Sequence, residues 1–88
     1  MQNNNDETER NRLIDIITDE LPILRARMRI SQGDLARSIG ISRQTYSLIE
    51  TKKQKMTWVT YMALIGFFVG NAKTIKHLKD LELYNELL

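Results

Sequence analysis

Arg43, Gln44 and Ser47 are three hydrogen-bonding side chains inside one short stretch, "SRQTYSLIE", Ser42–Glu50. At about 100° per residue on a helix they fall within an arc of roughly 100°, opposite Tyr46 and Ile49. An arginine fork matches the O6 and N7 acceptors of guanine. A glutamine amide matches N6 and N7 of adenine, and a serine hydroxyl serves either a base or a phosphate. Leu48 lies at the margin of the row, within reach of a thymine methyl. A helix carrying such a row has the width of the DNA major groove. Taken alone, the three side chains read equally well as a solvated polar face. The surrounding residues decide between the two readings.

Charge is distributed unevenly. Residues 21–56 carry eight basic residues against Asp34 and Glu50, whereas residues 1–20 carry six acids and two bases. A basic block of this kind suits a polyanion. Lys52, Lys53 and Lys55 follow the Arg43–Ser47 row directly, where a phosphate backbone would pass. Each lysine that neutralises a phosphate adds about 0.9 to the log–log salt slope of binding. Arg25, Arg27 and Arg29 alternate, so they do not share one helical face; one of them is expected to reach DNA.

Other chemistries find little support. The chain has no cysteine, which removes disulfides, thiolate catalysis and cysteine zinc sites. His77 is the only histidine and has no cysteine or second histidine near it, so it reads as a surface residue. Asp15, Asp19 and Glu20 read as a solvated face. No phosphate-binding glycine loop, nucleophile elbow or metal-ligand spacing is present, so neither an enzyme nor a cofactor is expected. Residues 1–12 are polar and contain no apolar core of a secretory signal. The longest apolar stretch, Trp58–Val69, is twelve residues and too short to span a bilayer. A cytoplasmic location without a membrane partner is expected.

The row must be held by helices, since no stretch alternates with period two. Leu13, Ile14, Ile17 and Leu21 form one apolar stripe. Pro22 then either begins a new helix or kinks a continuing one; the spacing predicts helices over 7–20 and 22–29. Ser31 caps the next helix, with Asp34 placed to reach back in a capping box. Gly40 closes it in the left-handed conformation that glycine tolerates. Ser42 caps the helix that carries Arg43, Gln44 and Ser47, and this helix ends near Glu50. Thr57 caps a helix over Trp58–Val69, which Gly70 and Asn71 stop, and a last helix is predicted over 72–83. Ala36 is small where two helices cross, and Ile41, Tyr46 and Ile49 hold the second against the first. This is a helix-turn-helix arrangement.

At this level of detail the sequence resembles the phage-repressor or Cro-like helix-turn-helix proteins, the XRE family. The resemblance rests on "LRARMRISQGDLARSIGISRQTYSLIE", in which Gln32, Leu35, Ala36, Gly40, Ile41, Ser42, Ile49 and Glu50 match the family by type and spacing. It implies that Arg43, Gln44 and Ser47 read bases and that Gln32, Ser42, Thr45, Lys52 and Lys53 contact the DNA backbone or support the recognition helix. It assigns Glu50 a structural role. The sequence departs from the pattern in three places: Thr51-Lys52 replaces Asn-Gly, Met56 stands where proline is common, and Gly33 replaces an acidic residue.

The expected fold is all-α, a compact bundle of about five to six helices. Residues 1–6 are expected to be a disordered tail and 7–20 an extra N-terminal helix. Residues 21–70 form the Cro-like domain, and 71–88 a C-terminal helix on the domain or at a dimer interface. The expected function is a DNA-binding transcriptional regulator, a repressor, acting on double-stranded DNA as a homodimer. The alternative is an antitoxin-like module whose helix-turn-helix serves a protein partner. No ligand-binding module is expected beside the helix-turn-helix in these 88 residues. The interface is expected to draw on the apolar helix Trp58–Val69 and on the last helix, including Ile75 and Leu78.

Overall fold

Leu13, Ile14, Ile17, Leu21 and Leu24 are buried in a single stripe along one long helix. The structure, a computed structural model, describes residues 4–83. Among the described residues it has five α-helices and no strand: α1 Asn4–Met28, α2 Gln32–Ile39, α3 Arg43–Glu50, α4 Trp58–Val69 and α5 Ile75–Asp80. It is an all-α bundle containing a helix-turn-helix. No helix among the described residues is long and apolar enough to cross a membrane.

The first element corrects the expected break at residue 21. Helix α1 runs through Pro22 without interruption. A proline inside a helix costs about 3 kcal/mol, mainly through a lost hydrogen bond and a clash with the preceding turn. Pro22 is exposed, while Leu21 and Leu24 on either side of it are fully buried. Burial of each leucine contributes about 1.5–3 kcal/mol, so the packing of both outweighs the proline. The helix also starts earlier than expected. Asn4–Asp6, assigned to a disordered tail, form its first turn together with Glu7, where acidic side chains favour the positive end of the helix dipole. Residues 1–3 lie outside the described residues.

The caps of the central helices form as expected. Ser31 Oγ accepts from the Asp34 amide at 3.0 Å, and Thr57 Oγ1 accepts from the Thr60 amide at 3.1 Å. The Asp34 carboxylate pairs with Arg37 rather than closing a reciprocal box. At the C-terminus of α2, Gly40 is left-handed (φ 81°), and its amide and that of Ile41 bond back to Arg37 and Ala36. The end of α3 has the same form without glycine. Lys52 adopts φ 67°, its amide bonds to Ile49 O at 3.0 Å, and the Lys53 amide bonds to Leu48 O at 2.9 Å. Substitution of the family's Asn-Gly by Thr51-Lys52 therefore leaves the turn intact and places a lysine in a conformation that disfavours side chains.

The C-terminal region departs further from expectation. Helix α5 covers Ile75–Asp80, not 72–83. Asn71–Thr74 instead form a turn: Asn71 Oδ1 accepts from the Lys73 amide at 2.8 Å, and the buried Thr74 hydroxyl donates to Phe68 O at 2.7 Å. Side chains that satisfy the backbone locally compete with helix formation. His77 is not a free surface residue. Its side chain is only 14% exposed, and Nε2 lies 2.7 Å from Glu20 Oε1, joining α5 to α1. These partners are 57 residues apart, so no local pattern announces them. Leu78 is fully buried inside the protomer, which removes it from any subunit interface.

Helix α4 is the centre of the core. Tyr61, Leu64, Ile65 and Phe68 are fully buried between α1, α2 and α5. Helix α1 closes the N-terminal end of α4: Trp58 stacks on Tyr61 with ring centroids 4.5 Å apart, and the Arg10 guanidinium lies 4.8 Å from the Trp58 ring. The N-terminal extension thus covers part of this uncharged helix.

Candidate nucleic-acid interface

The recognition surface is built on a buried carboxylate. Glu50, the last residue of α3, has a side chain only 9% exposed. Arg25 of α1 donates to it from Nε (2.9 Å to Oε1) and Nη2 (2.8 Å to Oε2). The Tyr46 hydroxyl donates to Oε1 at 2.5 Å, and Gln32 Nε2 donates to Oε2 at 3.2 Å. Arg25 Nη1 also donates to Ile30 O at 3.2 Å, in the connection between α1 and α2. One carboxylate therefore ties together the three helices that set the angle of α3.

The electrostatics follow from these contacts. Burial on its own would raise the Glu50 carboxyl, but the donors from Arg25, Tyr46 and Gln32 outweigh it and hold the group below the ordinary carboxylate range. Burial, then the Glu50 contact, pushes the Tyr46 phenol well above its usual value. The Glu50 contact raises Arg25 in turn. The group is ionised and engaged by three side chains of the protein itself, which gives Glu50 a structural role.

Tyr46 and Ile49 are buried against α1 and α2, and this fixes which side of α3 faces out. Arg43 and Gln44 are exposed, and Ser47, half-buried, lies between them on the same face. Leu48 is 40% exposed and stands at the margin of this face, one helical turn beyond Gln44. Ser42 and Thr45 are occupied with capping. Ser42 Oγ accepts from the Thr45 amide at 3.0 Å, and the two side-chain oxygens lie 2.9 Å apart. Gln32 opens α2 and joins it to Glu50 as described.

The lysines after α3 differ from one another. Lys52 Nζ lies 2.5 Å from Asp19 Oδ1 on α1, an exposed pair that raises the lysine above its ordinary range. Lys53 and Lys55 are exposed and have no ion-pair partner among the described residues. Of the three arginines near the end of α1, Arg25 is consumed by Glu50, while Arg27 and Arg29 are exposed. The Arg25–Glu50 pair is absent from the sequence reading because its partners are 25 residues apart. Their opposite charge was the one available signal, and it is shared by many other pairs in a chain that is 27% charged.

A helix-turn-helix family profile matches residues 23–61, which run from the second half of α1 through α2 and α3 to the first turn of α4. Over that segment the chain is similar to the Cro/repressor type of helix-turn-helix. No curated protein and no solved structure matches it. The helix-turn-helix makes this a DNA-binding protein of the regulator class, a fold not typically enzymatic. The matched segment contains the whole Glu50 network and the whole outward face of α3. Most of α1's apolar stripe and all of α5 lie outside it.

Proposed function

We propose that the protein is a sequence-specific transcriptional repressor that lays α3 in the major groove of double-stranded DNA as one half of a homodimer. The outward face of α3 carries the reading. Arg43, Gln44, Ser47 and Leu48 point away from the core, while Tyr46, Ile49 and Glu50 anchor the opposite side. Arg43 and Gln44 supply donors and acceptors to base edges, Leu48 an apolar contact to thymine, and Ser47 an adaptable hydroxyl. Gln32, Ser42 and Thr45 at the starts of α2 and α3 hold the phosphate backbone or fix the helix that reads it. Lys53 and Lys55 supply unpaired positive charge beyond the end of α3, and Lys52 joins them when it leaves Asp19. Repression is the mode that requires nothing more than occupancy of a promoter site.

The two-fold contact is assigned to the outward side of α4. This helix has no charged residue, and it exposes Val59 (75%) and Met62 (47%) on the side away from the core. A second copy of the chain places the same uncharged strip opposite it and sets two recognition helices about 34 Å apart, one turn of DNA.

Selection of bound sequences from a random duplex pool tests the function directly. A two-fold motif with half-sites one helical turn apart is the expected result. Absence of any enriched sequence would overturn it in favour of a surface directed at a protein partner.

A further inference from the structure

We infer that Gly33 is a positioning residue for Arg43, and that the absence of a long or acidic side chain there is what leaves the arginine to be aimed at DNA. This rests on the base-reading role of Arg43 proposed above. Gly33 is the second residue of α2, and Arg43 is the first residue of α3. A Cβ built at Gly33 would lie 3.5 Å from Arg43 Cδ and 4.0 Å from both Cγ and Nε. The arginine stem therefore crosses the first turn of α2 directly over the glycine. Gly33 does not have a left-handed backbone, since Gly40 is the one glycine with positive φ among the described residues. Backbone geometry thus gives no reason for glycine here, and a glycine in a helix is less favourable than alanine by about 1 kcal/mol.

A methyl at 3.5 Å is in ordinary contact with the stem and fits, so what the position limits is length: a longer side chain enters the lane that the stem occupies. A carboxylate there has a further effect, because it stands within reach of the guanidinium and offers it a fork-like partner in place of a base. Asp34, the next residue, already spends its carboxylate on Arg37. The absence of an acid at 33 leaves the Arg43 charge available to DNA.

The test compares Gly33→Ala and Gly33→Glu, each in the natural chain and in an Arg43→Ala background. Thermal unfolding is measured together with the full base-preference profile of binding. Gly33→Ala is expected to keep the profile and bind within about twofold of the natural protein. Gly33→Glu also unfolds at higher temperature, because glutamate suits a first helical turn. It nevertheless loses preference at the base pair that Arg43 reads by about tenfold, as Arg43→Ala does. In the Arg43→Ala background, Gly33→Glu weakens all sequences alike and changes no preference further. Uniform weakening by Gly33→Glu with every preference intact would overturn the inference. If Arg43→Ala itself leaves the profile unchanged, the base-reading assignment fails first and takes the role of Gly33 with it.

Discussion

Glu50 at the end of the recognition helix receives a two-pronged contact from Arg25 on α1, with Nε and Nη2 at 2.9 and 2.8 Å from its two carboxylate oxygens. The pair joins residues 25 apart and ties α1 to the end of α3. Removing one partner of a buried ion pair costs more than the pair contributes, because the other charge is left without compensation. Glu50→Gln is expected to destabilise the fold by about 3 kcal/mol, the lower end for such a change, since Arg25 keeps some contact with water. The carboxyl is held below its ordinary range, so its contribution is complete above the unfolded value near 4.5 and is lost as pH falls through the lower folded value. Urea unfolding of the natural protein and Glu50→Gln should therefore differ by a constant amount at neutral pH and converge in acid. A difference that persists unchanged at pH 3 would mean that shape, not charge, makes the contribution.

Base reading is expected to divide by residue. Arg43→Ala and Gln44→Ala should each weaken the cognate site by about 1–3 kcal/mol and relax preference at one base pair. Leu48→Ala should relax a thymine preference with a smaller loss, since it removes apolar contact and no hydrogen bond. All three side chains face outward, so unfolding midpoints should not fall. Competition binding against single-base variants of the selected site measures this. An unchanged ranking for all three would misplace the recognition surface.

The lysines after α3 separate backbone strain from DNA contact. Lys52 is left-handed and paired with Asp19, and a fully exposed pair of this kind adds little to stability. Lys52→Gly should therefore stabilise the fold by up to about 1 kcal/mol through the relieved backbone. Lys53→Ala should leave stability alone and lower the salt slope of binding by about 0.9. Lys52→Gly should lower it by less, because Asp19 competes with phosphate for this ammonium. Titrations over a range of salt concentrations decide the matter, and equal slopes for the natural protein and Lys53→Ala would mean that Lys53 is only solvated.

Much of this arrangement was legible in the sequence because it is local. Ser31, Gly40, Ser42 and Thr57 act on backbone groups within a few residues, so their types alone locate the ends of α2, α3 and α4. The periodicity of Leu35, Tyr46 and Ile49 likewise fixes which face of the helix-turn-helix is inward. The failures involve non-local partners. Pro22 signals a break, and only the burial of Leu21 and Leu24 by other elements overrides it. His77 gave no sign of Glu20, nor Lys52 of Asp19, because each pair is brought together by the packing of α1.

Pro22 offers a direct test of that override. It occupies an exposed position inside α1, where its missing amide removes a hydrogen bond to the Thr18 carbonyl. Pro22→Ala should stabilise the protein by about 1–3 kcal/mol, with no change in DNA affinity, because the helix is already continuous. Thermal unfolding and helical circular dichroism provide the measurement. A destabilised Pro22→Ala would show that the proline sets a bend which the packing of Leu21 and Leu24 needs.

Helix α4 buries Tyr61, Leu64, Ile65 and Phe68 within its own protomer, so the proposed two-fold contact uses what is left outside, chiefly Val59 and Met62. Sedimentation equilibrium at micromolar protein without DNA should give a species of twice 10.3 kDa. Val59→Lys combined with Met62→Lys introduces like charges on both sides of an isologous contact, where they repel across the axis. The double variant should sediment as a 10.3 kDa monomer, keep its unfolding midpoint, and bind a two-fold site far more weakly while retaining its half-site preference. A natural protein that is already monomeric at this concentration would sink the preformed dimer and leave assembly on the DNA. A double variant that remains dimeric would move the contact to another face.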